Sequence, residues 1–426
     1  MNGALRVGYE GAALLARALA AFAPAHRGGS KLVETFGARR GVLARFDAFA
    51  RDPVRPLSWM HAPSVGEGLQ ARPVMDLVRE RIPRAQLAYT YFSPSAREFA
   101  AQLPVDFRDV LPFDVTLDMR RALAALAPTA LVFSKLDVWP TLAREASERG
   151  TRLGLISATL ARGSTRRYGV AAALLRDAYA RLDRVGAISP DDADRLISLG
   201  VPATRVTVTG DTRYDQVWAR ARGVDRNSPL LRSLAGNRPT LVAGSTWPAD
   251  DAVLLPAWTR FRTRVRDARL IIAPHEPTAA HLAPIAQWAA GAGLRLARLD
   301  EPSATSADVI LVDRVGVLGD LYALASVAFV GGGFHAAGLH SVLEPAAFGA
   351  PVLFGPRHDA SRDAGLLIDD DAAISVSDGD TMLAALEQWL ASPPDRRAAG
   401  DAARRVVHRG LGAAERSYAI VKELLG

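Results

Sequence analysis

The chain has 426 residues, with 52 lysine and arginine side chains against 45 aspartate and glutamate side chains, which gives a formal net charge of +7. It contains no cysteine, and this excludes disulfide scaffolds, cysteine–zinc sites, iron–sulfur clusters and cysteine nucleophiles. A hydrophobic fraction of 49% and a charged fraction of 23% exclude a disordered or collagen-like chain. At about 100–200 residues per domain, the length predicts two or three domains.

The N-terminal segment 4–23 is apolar but carries three charged residues. Its uncharged run is far shorter than the roughly 20 apolar residues that cross a bilayer, and no signal-cleavage pattern follows it. A basic stretch lies beyond it, between Lys31 and Arg55. The pattern is consistent with an amphipathic helix at a membrane interface and equally with a first helix packed on a cytosolic domain.

Short apolar runs alternate with amphipathic patterns from residue 56 onwards, which predicts doubly wound parallel sheets. The predicted strands before a polar stretch at 216–238 are 56–61, 86–91, 107–111, 129–134, 152–157, 184–188 and 205–209. Those after it are 240–243, 269–273, 294–298, 308–312, 327–331 and 351–354. The sequence therefore predicts an α/β fold of two Rossmann-like domains facing a cleft, preceded by a short membrane-associating helix.

The predicted domains are an interfacial helix at 1–30, a first Rossmann-like domain at 31–215, a linker at 216–238, a second Rossmann-like domain at 239–405 and a closing helix at 406–426. Ligands of such sheets bind at the carboxyl ends of the strands, so the residues that follow strands are the informative ones.

The first motif, HAPSVGEG at 61–68, follows a predicted strand and begins a helix. His61 ends the strand, Ser64 and Gly66 lie in the turn, and Glu67 lies at the helix start. Free N–H groups at such a helix start can bind an anion or a sugar hydroxyl. An ordinary turn capped by Ser64 would also explain these residues, and the incomplete glycine pattern is not a dinucleotide fingerprint.

The second motif, SKLDVWP at 134–140, places Lys135 and Asp137 after another strand. The chain has only three lysines, at 31, 135 and 422, so its other 49 basic residues are arginines. A lysine in this loop therefore suggests that a compact ammonium group is required there, with random drift as the alternative.

The third group of motifs belongs to the second half of the chain and comprises GSTWP at 244–248, APHEP at 273–277, VGGGFHAAGLHSVLEPAAFG at 330–349 and FGPRH at 354–358. N–H groups of a glycine-rich loop suit phosphate, and a carboxylate one turn into the following helix suits ribose hydroxyls. The candidate binding residues are Ser245, Thr246, His275, Gly332, Gly333, His340, Ser341, Glu344 and Arg357. Metal binding is not expected, because no His-x₃-His or carboxylate-rich cluster accompanies them.

Taken in order, HAPSVGEG, LPFD, SKLDVWP, VTGDTRYD, GSTWP, APHEP and VGGGF…GLHSVLEPAAFGAPVLFGP resemble the motifs of the 3-deoxy-D-manno-octulosonic acid (Kdo) transferases of lipid A synthesis. The resemblance implies a GT-B fold and an inverting transfer of Kdo from CMP-Kdo to a lipid A precursor, without a metal or another cofactor. It also implies a location at the cytoplasmic face of the inner membrane, where the partners are the donor, the lipid acceptor and anionic lipid rather than nucleic acid.

The resemblance further assigns roles to residues. The family's Glu-Arg-x-Gly pattern matches ETFG here, so Glu34 takes the role of the general base that deprotonates the acceptor hydroxyl. The implied acceptor-binding residues are Lys31, His61, Ser64, Gly66, Glu67, Lys135 and Asp137. The nine candidate residues of the second half take the role of donor binding.

Some motifs differ from the family's common form. Lys135 stands where glutamate is usual before the Trp-Pro pair, Thr35 stands where arginine is frequent, and Ser341 follows a histidine that asparagine often follows. A variant branch of the family with this lysine is the closest match. The alternatives are another GT-B glycosyltransferase or an epimerase that uses a different nucleotide sugar, and a non-catalytic homologue that binds lipid A or CMP.

Overall fold

The computed structural model describes residues 3–22 and 31–426, without the side chains of residues 21, 22, 31 and 32. The chain divides into two units, the first formed by the residues up to Gln216 together with Leu411–Gly426, and the second by Val217–Gly410.

The first unit contains a parallel sheet of seven strands in the order β3-β2-β1-β4-β5-β6-β7. Its strands are β1 (Leu57–His61), β2 (Gln86–Tyr91), β3 (Phe107–Val110), β4 (Ala130–Ser134), β5 (Arg152–Ala158), β6 (Arg184–Ala187) and β7 (Val206–Val208). Its helices are α1 (Gly3–Phe22), α2 (Lys31–Gly37), α3 (Val42–Asp47), α4 (Val65–Arg81), α5 (Arg97–Ala101), α6 (Thr116–Leu126), α7 (Pro140–Glu148), α8 (Gly169–Ala180) and α9 (Pro190–Leu199). The first four sheet strands are buried along almost their whole length, as expected for a sheet covered on both faces.

The second unit repeats this architecture with a parallel sheet in the order β10-β11-β9-β8-β12-β13-β14. Its strands are β8 (Thr240–Thr246), β9 (Arg269–Pro274), β10 (Leu296–Arg298), β11 (Val309–Leu311), β12 (Val327–Val330), β13 (Val352–Phe354) and β14 (Ala373–Ser375). The helices that follow α9 are α10 (Arg213–Gly223), α11 (Pro229–Leu234), α12 (Pro248–Arg264), α13 (Ala279–Gly291), α14 (Leu318–Leu321), α15 (Leu343–Phe348), α16 (Arg362–Asp369), α17 (Gly379–Leu390), α18 (Pro393–Gly410) and α19 (Ala413–Leu425).

Every predicted strand is present in the structure, and the prediction of two Rossmann-like sheets is confirmed. β14 was not predicted, because three residues with a single buried side chain give no recognisable apolar run. The segment 216–238, predicted as a linker, holds most of α10 and the whole of α11.

The C-terminal residues return to the first unit. Asp215 accepts hydrogen bonds from the N–H groups of Gly412 and Ala414 at 2.8 and 2.9 Å, and Arg81 and Glu415 pair at 2.7 Å. The predicted closing helix at 406–426 is therefore two elements, the end of α18 in the second unit and α19 in the first.

Helix α1 is held on the first unit by polar side chains. The Tyr9 hydroxyl donates to Asp114 at 2.7 Å, the Glu10 carboxylate accepts from the N–H and hydroxyl of Thr116, and Arg17 pairs with Asp118 at 2.9 Å. The N-terminal helix is thus packed through these polar side chains together with the buried Ala20.

The opposite side of α1 is apolar and exposed, with Val7, Leu14, Leu15 and Leu19 directed away from the unit. A helix packed on a soluble domain usually shows the reverse arrangement. No helix in the described part of the chain is long and apolar enough to span a membrane.

Each sheet has one position where the chain connections from two neighbouring parallel strands lead to opposite edges of the sheet. In the first unit this switch point lies between β1 and β4, and in the second it lies between β8 and β12. Such points leave a crevice at the carboxyl ends of the strands, where doubly wound proteins bind ligands. The motifs at 61–68 and 134–140 flank the first switch point, and those at 244–248 and 330–349 flank the second.

Candidate active site

The first switch point brings Ser64, Glu67 and Lys135 together. The Lys135 ammonium donates to Glu67 Oε1 at 3.1 Å, and the Ser64 hydroxyl donates to Glu67 Oε2. Ser64 is the N-cap residue of α4, but its side chain bonds to Glu67 and makes no capping bond to the helix backbone. The N–H groups of the first turn, including that of exposed Gly66, are therefore left for a polar ligand.

Lys135 adopts a backbone conformation that non-glycine residues seldom take, with φ at +71°. Its N–H donates to Ile156 O at 2.9 Å, which holds the turn against β5. Strain of this kind persists only where the surroundings impose it, and it is concentrated at functional sites. The turn directs the ammonium group to Glu67 at the start of α4. The sequence did not predict this contact, because the two motifs lie far apart in the chain.

His61 is buried behind this surface, with 1% exposure. Its Nε2 accepts a hydrogen bond from Trp139 Nε1 at 2.9 Å, and its Nδ1 lies 3.0 Å from the Thr90 hydroxyl. The proton of the neutral ring is therefore on Nδ1. Burial, with a smaller effect of Arg39, lowers the pKa of His61 to about 3. His61 was predicted to contact the acceptor, but in this structure both ring nitrogens are occupied and the ring orients Trp139 instead.

Asp137 lies in the same loop and pairs with Arg166. Burial raises its pKa, and Arg166 opposes this shift. Arg166 was not singled out in the sequence, because nothing in the pattern at 160–168 links it to a carboxylate that precedes it by 29 residues.

Glu34, the candidate base, lies on the seven-residue helix α2. Among the contacts that hold this helix on the first unit, the rings of Phe36 and Phe113 lie 5.9 Å apart, and Arg39, just beyond the helix, lies 4.2 Å from the ring of Phe92. Lys31 begins α2, but its side chain lies outside the described residues.

In the second unit, the buried carboxylate of Asp250 joins the two motifs at the switch point. It accepts hydrogen bonds from the N–H groups of Trp247 and Gly332, both at 2.8 Å, and of Phe334 at 3.2 Å. Sequence reasoning missed this residue, although its position three residues after a helix start is a known signal for a side chain that bonds back to the N-cap.

Four aromatic side chains stack beside these hydrogen bonds of Asp250. Trp247 lies between His335 at 4.2 Å and His275 at 4.8 Å, and His275 stacks on His340 at 4.5 Å. Trp247 Nε1 also donates to His340 Nε2 at 3.2 Å. Burial lowers the pKa of His340, and the neighbouring His275 contributes in the same direction. The structure therefore joins two predicted donor residues, His275 and His340, and adds Trp247 and His335 to them.

The glycines at 332 and 333 are required by close packing. Gly332 has φ at +94°, and a Cβ atom there would lie 2.1 Å from Gly338 O. A Cβ atom on Gly333 would lie 2.5 Å from the backbone nitrogen of Gly355. Since the Gly332 N–H already bonds to Asp250, it is not available to a phosphate in this structure. The exposed Arg357 is held beside this loop by its own N–H, which donates to Gly333 O at 2.9 Å.

The remaining predicted donor residues border the same switch point. Ser245 has φ at +54° at the end of β8, and the next residue, Thr246, is buried. Ser341 is exposed just before α15, and Glu344 lies in the first turn of that helix. Burial raises the pKa of Glu344. Within residues 3–22 and 31–426, no group of three or more histidine, aspartate or glutamate side chains could hold a metal ion.

Comparisons with known proteins identify the family of the chain. A sequence model described as 3-deoxy-D-manno-octulosonic-acid transferase (kdotransferase) matches residues 34–216. The 3-deoxy-D-manno-octulosonic acid transferase of Bordetella pertussis is 32% identical, over 90% of this chain and 91% of its own length. The chain belongs to the Kdo transferase family. The transferase of the same name from Haemophilus influenzae is 26% identical over 86% of this chain and 87% of its own length.

A solved structure of another enzyme shares the fold of this chain. The UDP-GlcNAc 2-epimerase of Neisseria meningitidis, crystallised with UDP-GlcNAc, superposes with a TM-score of 0.63 over 87% of this chain and 99% of its own. Because only 13% of the residues are identical, the likeness concerns the GT-B fold alone. The predicted α/β fold of GT-B type and the predicted class of enzyme, a glycosyltransferase, are confirmed by these comparisons together with the two parallel sheets.

Proposed function

We propose that this Kdo transferase uses CMP-Kdo as donor and a lipid A precursor of the lipid IVA type as acceptor, with inversion at the anomeric carbon and without a metal. The observation that carries the proposal is the placement of both motif sets at the switch points of their sheets. Ligands of doubly wound sheets bind at these points, and relatives that are 32% and 26% identical to this chain are named 3-deoxy-D-manno-octulosonic acid transferases.

In the proposed reaction, Glu34 takes the proton of an acceptor hydroxyl, and the hydroxyl oxygen attacks the anomeric carbon of the sugar. The bond from that carbon to the phosphate oxygen breaks, and CMP leaves with the bonding electrons. N–H groups and imidazoles at the second switch point, His275 and His340 among them, are suited to stabilise the charge on the departing phosphate. Ser245, Ser341 and Arg357 are further donor contacts under this proposal, with Glu344 directed to the ribose.

The acceptor side suits a ligand with phosphates. The open first turn of α4 and the half-exposed ammonium of Lys135 lie side by side. Both attract an anion, and Glu67 restrains the ammonium group through its hydrogen bond. We therefore assign the phosphorylated sugar of the acceptor to this position, with Asp137 at its border.

The location proposed for the enzyme is the cytoplasmic surface of the inner membrane. The support is the arrangement of α1, whose polar side chains bond to the first unit and whose apolar side chains are exposed. Such a helix can lie in the headgroup region of a bilayer while the unit remains in water, and anionic lipid would attract the basic stretch after it.

Turnover with defined substrates tests the reaction. Purified enzyme with CMP-Kdo and a tetra-acylated lipid A precursor should release CMP. In a thermal-shift panel, CMP should stabilise the protein more than UDP or ADP does. A larger shift with UDP or ADP would favour another nucleotide-sugar enzyme. Stabilisation by CMP without turnover, in a folded protein, would favour a non-catalytic homologue.

Vesicle binding tests the location. Changing exposed Leu15 and Leu19 to aspartate should abolish sedimentation with vesicles that contain phosphatidylglycerol, and it should leave the thermal transition unchanged, because neither side chain is buried. Val315→Asp, at an exposed residue of the second unit, is the matched control and should sediment like the wild type. Equal sedimentation of all variants would refute the role of α1.

A further inference from the structure

Arg39 is the most deeply buried cation near the candidate base, with 4% exposure. Its guanidinium donates to the carbonyl of Thr35 at 2.6 Å and to that of Phe92 at 3.4 Å. The ring centres of Phe92 and Phe113 lie 4.2 and 5.3 Å from the guanidinium carbon. One side chain thus joins α2, the residue after β2 and the loop after β3.

The charge of Arg39 is not neutralised nearby. Among the described residues, no carboxylate accepts a hydrogen bond from its guanidinium, and its Nε has no acceptor. Burial lowers its pKa to about 10, so that the group is still charged at neutral pH. A buried charge without a partner is costly, and an apolar side chain would fill the same space at lower cost. Packing alone therefore does not explain an arginine here.

What the arginine does provide is a link from α2 to the first switch point. The carbonyl that it binds on α2 belongs to Thr35, the residue next to Glu34. On the other side, the ring of Phe92 stacks on Trp139 with centres 5.2 Å apart, and Trp139 bonds to His61. A helix of seven residues is too short to be stable by itself, so contacts of this kind determine where it lies.

We propose that Arg39 is a positioning residue for sugar transfer: it fixes α2 against Phe92 and Phe113 and thereby fixes the carboxylate of Glu34. The proposal rests on the proposed function, in which Glu34 is the base. It predicts that loss of the guanidinium reduces the rate of the chemical step and leaves donor binding intact, because all its contacts lie in the first unit.

A double-mutant cycle tests this inference. Arg39→Lys keeps the charge but cannot lie flat against the rings while donating to both carbonyls. We expect kcat to fall roughly 30-fold or more, with KM for CMP-Kdo changed less than about threefold. In a Glu34→Gln background, Arg39→Lys should change the residual rate less than about twofold, because the group that it positions is already removed.

Arg269 supplies the matched control. It is 3% exposed, donates to the carbonyl of Leu234 at 2.7 Å, and has an Nε without an acceptor. Burial lowers its pKa to about 10 as well. It begins β9, at the end of the second sheet opposite to the candidate site. Arg269→Lys should lower the thermal transition as Arg39→Lys does and leave kcat unchanged.

The outcomes distinguish the positioning role of Arg39 from the proposed transferase function. Additive effects of the Arg39 and Glu34 variants, or an equal loss of kcat in Arg269→Lys, would overturn the positioning role while the transferase activity stands. A wild-type enzyme that is folded but releases no CMP would refute the proposed function, and the role of Arg39 with it. If Arg39→Lys does not fold, Phe92→Leu provides the same cycle with the arginine retained, and the same non-additivity with Glu34→Gln is expected.

Discussion

At the residue scale, His61 illustrates how burial determines protonation. Its Nε2 accepts from Trp139 and its Nδ1 lies next to Thr90, so a second proton has no acceptor in the structure. The folded-state pKa of about 3 lies below the usual value of 6.5. Between these two pH values the unfolded chain therefore binds a proton at His61 that the folded chain does not bind.

This difference predicts a pH dependence of stability. The contribution of His61 is fully present above about pH 6.5 and is lost as the pH falls towards 3, with a total on the order of 5 kcal/mol. His61→Gln keeps an acceptor for Trp139 and does not titrate, so its unfolding free energy should depend less steeply on pH between 6.5 and 5. Urea unfolding at both pH values, with ¹⁵N spectra of the imidazole, measures this. A ring that titrates above pH 6 would contradict the structure.

Lys135 provides a second test at this scale. Its ion pair with Glu67 is partly exposed and should add at most about 1 kcal/mol to stability, so Lys135→Ala should move the thermal transition little. If the ammonium binds an acceptor phosphate, the same variant should lower kcat/KM for the acceptor about 10- to 100-fold. Lys422→Ala, on the exposed side of α19, should do neither. Unchanged kinetics in Lys135→Ala would show that the reaction does not require this lysine. Random drift would then explain its presence.

The sequence predicted which residues follow strands, but not which of them touch. Ser64, Glu67 and Lys135 were predicted as acceptor residues, and the structure joins them through hydrogen bonds. Their contact depends on β1 and β4 being neighbours, which no local pattern reveals. His61 was predicted as an acceptor-binding residue, yet in the structure its Nε2 accepts a hydrogen bond from Trp139, 78 residues away in the chain.

At the scale of elements, strand positions were predictable because buried parallel strands form continuous apolar runs. For the loops between the strands, the sequence predicted the residue types but not the contacts that they make. Asp250 is the clearest example, since one buried carboxylate connects the start of α12 with the glycine-rich loop after β12. Its three partners are main-chain N–H groups, and these leave no mark in the sequence beyond the helix-start spacing.

Asp250→Asn should disturb this loop, because an amide has one acceptor oxygen and would direct N–H groups towards backbone donors. We expect the affinity for CMP to fall about 10-fold or more, and the thermal transition to fall as well. Asp251→Asn, the adjacent buried carboxylate that pairs with His281 at 2.8 Å, should lower the transition without changing CMP affinity. Calorimetric titration of both variants with CMP provides the comparison. Equal affinities would show that the hydrogen bonds of Asp250 do not shape the donor site.

For helix α1, the sequence predicted a helix but not which of its sides packs on the first unit. Its composition allowed either an interfacial helix or one packed on the domain. The structure gives it features of both, because polar groups dock it and the apolar side chains remain exposed. The orientation depends on Asp114, Thr116 and Asp118, which belong to a distant part of the chain.

At the scale of the whole molecule, each unit carries its own sheet, its own switch point and its own set of motifs. This separation predicts that changes in one unit affect one substrate: variants of Lys135 should act on the acceptor and variants of Asp250 on the donor. Glu34 differs from both groups, since a general base acts on the chemical step and not on the binding of either substrate.

The mass spectrum of the lipid product measures the transfer of Kdo itself. Incubation of the wild-type enzyme with CMP-Kdo and a tetra-acylated lipid A precursor should yield a lipid whose mass has increased by Kdo, with an equal amount of CMP released. Glu34→Gln should bind CMP as the wild type does and form this lipid only at a small residual rate. A folded wild-type enzyme that binds CMP and leaves the lipid mass unchanged would refute the proposed transfer.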